Sequence, residues 1–377
     1  MPHLSRFVTV WSVLQAELEE GRLPGFAAAV RHRGQVELRT GGCLSRGAPE
    51  PVGPDTLFRL SSLSKPYAGA LTLALAEDGV LALDDPVARW LPELAAPRVL
   101  ARPGGPLSET VGVARPITVR HLLTNTAGFG GLWDDSPLAR AIQARRIGPG
   151  PWPPDLSPEE YLARVGELPL AAQPGERWLY HLSTEVLSVL LARATGRPLG
   201  ELLAERVTGP LGLHSTGLVA RDPRQLSTAY APDGVGVLDP PDGRFARPPV
   251  FEGLATGLVA TALDVLGFLT ALADGGGPVL TPASVAAMTT DALTAGQRAD
   301  AMMLLGPNLS WGLQVGLDLA PSWAGATAGR FGWDGGTGTS GWVDPGADLV
   351  AVLLTNRAMP GPRAAPQAFW QALYRCL

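Results

Sequence analysis

The sequence predicts an α/β chain of the α+β kind: an antiparallel sheet assembled from both ends, flanked by terminal helices, with a mainly helical middle inserted. Three observations carry this. Short strand-like runs separated by tight turns occur near the N-terminus and again near the C-terminus. Helical spacing dominates from about Ser61 to Val250, and an amphipathic helix closes each end. At 377 residues the chain exceeds the usual single-domain size. Two units are therefore expected, a sheet unit from residues 1–60 and 251–377 and a helical unit from 61–250.

From the N-terminus, Phe7, Trp11, Leu14 and Leu18 share one face of a helix running from about Ser5 to Glu20, which Gly21 and Pro24 end. Phe26–Val30 and Gln35–Arg39 flank the polar turn at His32-Arg33-Gly34 and read as a hairpin. After the loop Pro49–Pro54, Thr56–Leu60 is a short strand leading into Ser61-Ser62-Leu63-Ser64-Lys65-Pro66. Proline suits a first helical turn, so a helix follows through Asp78 and stops at Gly79. Asp84 or Asp85 opens a capped helix through Leu91, and Thr118 caps another within Ile117–Thr126, where His121 reads as structural. Arg140–Asp155 lacks helical patterning and reads as a surface loop or lid, with Trp133 before it and Trp152 inside it. Ser157 opens a short helix, and Thr184–Thr195 is amphipathic and stopped by Gly196. Tyr180 stands in the loop directly before that helix. Asp264–Ala273 is helical, Thr281 caps the next helix, and strands are expected at Gly312–Val315, Arg330–Gly335, Ser340–Asp344 and Leu349–Thr355. A final helix is expected from Ala365 to Tyr374.

Composition excludes several classes of function. Charged residues are 17%, apolar ones 46% and net charge is −5, with no basic stripe, so nucleic acid is not an expected partner. The five histidines and the two cysteines, Cys43 and Cys376, show no ligand spacing; no metal or other cofactor is expected, and no disulfide is argued for. The N-terminus lacks a basic segment followed by an apolar stretch, and no apolar run is long enough for a transmembrane helix. A chain that is soluble, cytoplasmic and without membrane contact is the expectation. Nothing in the sequence speaks to oligomeric state.

Lys65 is the only lysine in a chain that otherwise uses arginine for positive charge. Arginine is not deprotonated in proteins, whereas a lysine moved into a dry pocket drops its pKa and becomes a base. Residues three apart on a helical turn share a face, which puts Ser62 within reach of that amine; Ser61, four residues away, is a rival. The start of a helix also offers free N–H groups to developing negative charge. One turn thus supplies a nucleophile, its base and an oxyanion donor. The competing reading makes Ser62 or Ser64 a helix cap and Lys65 a solvated surface residue.

With these pieces in place the sequence resembles the serine β-lactamase and penicillin-binding-protein superfamily, and within it the class C β-lactamase-like carboxylesterases. Ser62-Leu63-Ser64-Lys65 matches the S-x-x-K motif. Trp178-Leu179-Tyr180-His181-Leu182 matches the tyrosine motif, with Leu182 where the family has asparagine. Trp333-Asp334-Gly335 stands at the K-T-G position without its lysine; His121–Gly128 and Pro282–Val285 are further landmarks. The resemblance implies a β-lactamase/transpeptidase-like fold with its active site in the cleft between the two units, and a Ser62 acyl-enzyme. It makes Lys65 and Tyr180 the partners in proton transfer, with Tyr180 the base towards the water that cleaves the acyl-enzyme, and the N–H groups of Ser62 and Gly336 the oxyanion donors. Trp333, Asp334, Gly335 and Leu182 become substrate-binding residues. A tryptophan and a leucine cannot make the charge-assisted contacts that hold a penicillin carboxylate and amide, and Asp334 would repel such a carboxylate. A small-molecule ester of a short acyl group therefore ranks above the amide substrate of a β-lactamase or a D-amino-acid peptidase (DD-carboxypeptidase), and above a non-catalytic binding role. No G-x-S-x-G elbow is present to support an α/β-hydrolase triad.

Overall fold

The computed structural model of the chain describes residues 6–361 and 366–377. Seven antiparallel strands form its sheet: β1 (Gly25–His32), β2 (Gln35–Gly42), β3 (Leu309–Trp311), β4 (Gly316–Asp318), β5 (Phe331–Gly335), β6 (Thr339–Asp344) and β7 (Leu349–Thr355). Their order across the sheet is β2-β1-β7-β6-β5-β4-β3, so strands from the two ends of the chain meet at β1 and β7. That seam runs in register from Phe26↔Thr355 to His32↔Leu349. The helices that matter below are α1 (Val8–Glu19), α2 (Lys65–Glu77), α3 (Leu182–Thr195), α4 (Ala262–Ala273) and α5 (Gln367–Arg375).

Successive side chains of a strand point to opposite faces, and here both faces are covered. Phe26, Ala28 and Val30 join Leu349, Ala351 and Leu353 in a core with Phe7, just before α1, Val10 and Leu14 of α1, and Phe369, Trp370 and Leu373 of α5. Ala27 and Ala29 join Val350, Val352 and Leu354 on the other face, against Val265 and Leu269 of α4 and the helical part of the chain. Covering on both sides is why β7 reads Leu-Val-Ala-Val-Leu-Leu-Thr without alternation, buried throughout. The α+β class, with an antiparallel sheet between terminal helices and a helical insertion, is borne out.

Several local expectations need correction. Gly312–Val315 is the turn between β3 and β4, closed by Gly312 N–H donating to Val315 O at 2.8 Å. Gln314 takes a left-handed conformation there, which aims its amide at the carbonyls of Leu122 and Leu123 and lets it accept from Thr184 Oγ1. Within 140–155, the end of a helix over Pro137–Ala144 appears, capped by Ser136 and burying Leu138 and Ile142. A capping box of Thr294 and Gln297 opens a helix over Ala295–Leu305 that the sequence pattern did not mark. Residues 84–91 form only short 3₁₀ turns, because Asp84 pairs with Arg120 and Asp85 accepts from Ala82 N–H, leaving no carboxylate as a cap. Thr118 does cap its helix, and His121 completes the box by accepting from Thr118 N–H. The expected helix starts at Ser5 and Ala365 lie outside the described residues. Among the described residues no helix is long and apolar enough to cross a membrane.

The segment that leads into Ser61 is pinned from below. Phe58 and Arg59 pair with Val259 and Ala260. The buried Arg59 guanidinium donates to Asp239 Oδ2 at 2.6 Å, to Pro240 O at 2.7 Å and to Ser227 O. Burial lowers its pKa and the Asp239 carboxylate opposes that shift. Removing one partner of a buried pair leaves an uncompensated charge, so Asp239→Ala is expected to cost about 3–5 kcal/mol of unfolding free energy. Urea denaturation checks this; a midpoint equal to that of the unaltered chain would show that the pair does not hold the segment.

Candidate active site

Ser61–Ser64 form one 3₁₀ turn that runs into α2, whose second residue is Pro66. Side chains three apart eclipse in such a turn, which stacks Lys65 over Ser62. Lys65 Nζ donates to Ser62 Oγ at 3.0 Å and to Ala255 O at 2.9 Å. The rival Ser61 and the neighbouring Ser64 are otherwise placed. Ser61 is buried, and Ser64 is fully buried with its hydroxyl accepting from Leu258 N–H at 3.1 Å. Ser62 is half-buried and lines an open cleft, so it touches both the amine and the space a substrate would enter. Lys65 itself has no exposed surface. Burial pushes its amine down to about 7, partly offset by the charge of Glu185.

Tyr180 is brought to this pair by a strained turn. His181 has φ 86° and ψ −65°, a γ-turn closed by Leu182 N–H donating to Tyr180 O at 3.3 Å. A non-glycine residue held in that region persists only where its surroundings over-determine it. Here Gly131 N–H also donates to Tyr180 O, at 2.8 Å, and Trp178 stacks on the Tyr180 ring with centroids 5.4 Å apart. Trp311 and Trp333 meet the same ring edge-on at 5.9 and 5.8 Å. Trp333 Nε1 donates to Tyr180 Oη at 2.6 Å, and the phenol is also hydrogen-bonded to Ser62. The Lys65 ammonium position lies 4.6 Å from the centre of the phenol ring. Burial raises the phenol pKa and both hydrogen bonds oppose the rise, so Tyr180 keeps its proton near neutral pH.

The structure adds residues that sequence reasoning missed. Glu185, one helical turn past His181 on α3, is fully buried behind Lys65, and burial raises its carboxyl pKa to about 8. The Ala255 peptide spans the two, its carbonyl accepting from Lys65 and its N–H facing Glu185. His181 Nε2 lies 3.9 Å from Glu185 Oε1, and burial with the Lys65 charge holds the imidazole neutral. A lone acid directly before the largely apolar run Val186-Leu187-Ser188-Val189-Leu190-Leu191 was the signal available for it. Trp178 and Trp311 carried no signal beyond being aromatic.

The third wall is β5 and the turn after it. Trp333, Asp334 and Gly336 line a cleft of about 450 Å³ together with Ser62 and Tyr180, whereas Gly335 and Leu182 do not. Leu182 is buried in the helical core. Gly335 packs so closely that a Cβ there would collide with Leu60 O and Thr339 Oγ1, which makes it the point where β5 meets the Ser61–Ser64 turn. Asp334 is not a free charge at the rim. It accepts from Ser340 Oγ at 2.5 Å and Trp342 Nε1 at 3.0 Å, and burial raises its pKa. Gly336 O accepts from Met359 N–H at 2.9 Å, which ties the turn after β5 to the chain at Met359. Cys43 and Cys376 are free thiols, and among the described residues no group of three or more His, Cys, Asp or Glu side chains gathers for a metal ion.

Residues 11–375 match the family model described as Beta-lactamase. Among curated proteins, the chain is 37% identical over 323 residues to Protein Rv1367c of Mycobacterium tuberculosis (strain ATCC 25618 / H37Rv), covering 81% of this chain and 78% of that one. It is 34% identical over 371 residues to Esterase EstB of Burkholderia gladioli, covering 93% and 90%. Among solved structures it is similar to EstCE1, a hydrolase with promiscuous acyltransferase activity, with a TM-score of 0.82 at 29% identity over 98% of both chains. The resemblance read from the motifs around Ser62, Tyr180 and Trp333 is borne out over nearly the whole chain.

Because Lys65 is the only lysine, selective ¹³Cε labelling gives one lysine side-chain NMR signal to follow with pH. It is expected to titrate near 7 instead of the ordinary 10.5. A midpoint above 10 would place the amine in a solvated, charged setting.

Proposed function

This chain belongs to the beta-lactamase family, and we propose that it is a serine ester hydrolase acting on small-molecule esters through an acyl-enzyme on Ser62. The observation that carries the reading is the 3.0 Å hydrogen bond between a fully buried Lys65 amine and the half-buried Ser62 hydroxyl. The likeness to Esterase EstB and to EstCE1 supports ester hydrolysis within the family. Trp333 Nε1 is committed to Tyr180, so no cation at that position is offered to the carboxylate of a lactam drug.

In the first step Ser62 Oγ forms a bond to the ester carbonyl carbon while its proton passes to the neutral Lys65 amine. The N–H groups of Ser62 and Gly336 receive the oxyanion, each such donor being worth about 2.7–4 kcal/mol of barrier. As the intermediate collapses, the alkoxide leaves with a proton from Tyr180, and the Lys65 ammonium restores it through the Ser62–Tyr180–Lys65 cluster. A phenol that keeps its proton suits that donor role better than the role of base towards water, which falls to Lys65. Water then attacks the acyl group and the same groups return Ser62 to its hydroxyl form. In this reading the centre lies between the unit of residues 1–60 and 251–377, which supplies Trp333 and Gly336, and the unit of residues 61–250, which supplies Ser62, Lys65 and Tyr180.

An organophosphonate is expected to label Ser62, and 4-nitrophenyl acetate or butyrate to be turned over; Ser62→Ala should lose both. Lys65→Arg keeps the charge but not the base, and kcat/KM is expected to fall by at least about 100-fold. Full activity in that variant would refute the neutral-amine mechanism.

The pH dependence has a definite sign. Activity needs the deprotonated amine, so kcat/KM falls as pH drops below about 7. Glu185 raises the amine pKa, so Glu185→Gln is expected to move that acid limb to lower pH, read from a kcat/KM profile. A limb that stays put or moves up would exclude coupling between the two.

A further inference from the structure

We propose, resting on the ester-hydrolase reading, that Arg330, Asp318 and Trp323 form a subsite of the Ser62 cleft for a neutral hydrogen-bonding group on one arm of the substrate, a terminal carboxamide in the first instance. All three residues line the cleft that Ser62 and Tyr180 line. Arg330, the residue before β5, is 2% exposed, and its guanidinium is held between the indoles of Trp342 and Trp370, 4.2 and 4.8 Å from the ring centres. Its Nε and Nη1 have no hydrogen-bond acceptor. Asp318 approaches Nη1 only to 3.5 Å, and its Oδ2 has no donor although Oδ1 accepts from Ser322 Oγ at 2.7 Å. Trp323 Nε1 is likewise buried and unpartnered.

Laxity of the chain does not account for these orphans, since Asp318 N–H donates to Arg330 O at 2.8 Å and Gly329 N–H to Asp318 O at 2.7 Å. Arginine carries five N–H donors and is always charged, and buried polar groups are rarely left unpaired in folded proteins. Three orphan N–H donors beside one orphan oxygen match a group that presents a carbonyl oxygen together with an N–H. A carboxylate matches less well. Arg330 already faces Asp318, and the carboxyl of Asp334 lies within its electrostatic reach. One cation between two acids leaves no surplus charge for a third. A plain alkyl end would leave every orphan as it is, at the cost of an unmade hydrogen bond in a buried place.

The test compares 4-nitrophenyl esters of heptanoic acid, adipamic acid (terminal carboxamide) and adipic acid (terminal carboxylate). The acetates of 1-heptanol and 6-hydroxyhexanamide probe the alcohol arm. In one of the two arms the carboxamide is expected to exceed the alkyl ester in kcat/KM by about tenfold or more, the factor of one well-made hydrogen bond, and on the acyl arm to exceed the carboxylate too. Arg330→Met should bring the carboxamide-to-alkyl ratio towards one. Trp323→Phe, at a partly exposed side chain, should lower it and keeps the test open if the arginine variant does not fold. A ratio near one in both arms of the unaltered protein, or variants that slow all esters in proportion, would overturn the subsite and leave Arg330 and Asp318 a structural ion pair. Failure of the unaltered protein to hydrolyse even 4-nitrophenyl acetate or to react with an organophosphonate would instead sink the hydrolase reading beneath it.

Discussion

Lys65 reaches Ser62 from a place that water does not enter, and most of the surrounding architecture exists to keep it there. In bulk water a lysine amine is held as ammonium, which has no lone pair to accept a proton, and the same group deprived of hydration gives up its proton near neutrality. Deprivation has to be complete to work. The amine is closed in by the Tyr180 ring on one side and the Ala255 carbonyl on another. Glu185 sits behind as a buried acid that pulls the other way. The balance between burial and that single carboxyl sets where the amine titrates: burial displaces both groups from their ordinary pKa values, and the charge of each opposes the shift of the other.

Tyr180 completes the enclosure, and it depends on tryptophans from distant parts of the chain. Trp178 precedes it in sequence, while Trp311 and Trp333 come from strands that lie over a hundred residues later. Those strands pair with β4 and β6, and β6 pairs with β7, which the seam joins to β1 and its hairpin. An N-terminal hairpin therefore supports the position of a phenol in the helical middle. The γ-turn at His181 stores strain at the point where this packing is tightest, which is where an over-determined backbone can sustain it. Gly335 serves the same junction from the other side, since only a residue without Cβ lets β5 reach the turn that carries Ser62.

The cleft is not uniformly apolar. Its reacting end is walled by aromatic rings, with Tyr180 and Trp333 already hydrogen-bonded to each other. Another part of its wall carries an arginine held between indoles beside a carboxylate, with donors and an acceptor left open. Asp334, which from sequence alone suggested repulsion of anions, is bound by Ser340 and Trp342 and acts within this framework.

The sequence by itself determined the class of fold and brought Ser62 and Lys65 forward as a candidate reacting pair. Period-two runs at both ends and helical spacing between them are local signals, and a solitary lysine three residues after a serine is a chemical one. It also placed Tyr180 before its helix and Thr118 and Ser157 at their caps, since caps depend on neighbours one turn away. Spacing alone left Ser61 beside Ser62, which only the motif register favoured, and the sequence took the Gln314 turn for a strand. It gave no hint that Leu182 and Gly335 pack away from the cleft, nor that Glu185 and Arg330 belong beside it. Those matters were decided by tertiary structure, because burial, the dielectric around a charge and the closing of hydrogen bonds arise only when segments far apart in sequence are brought into contact.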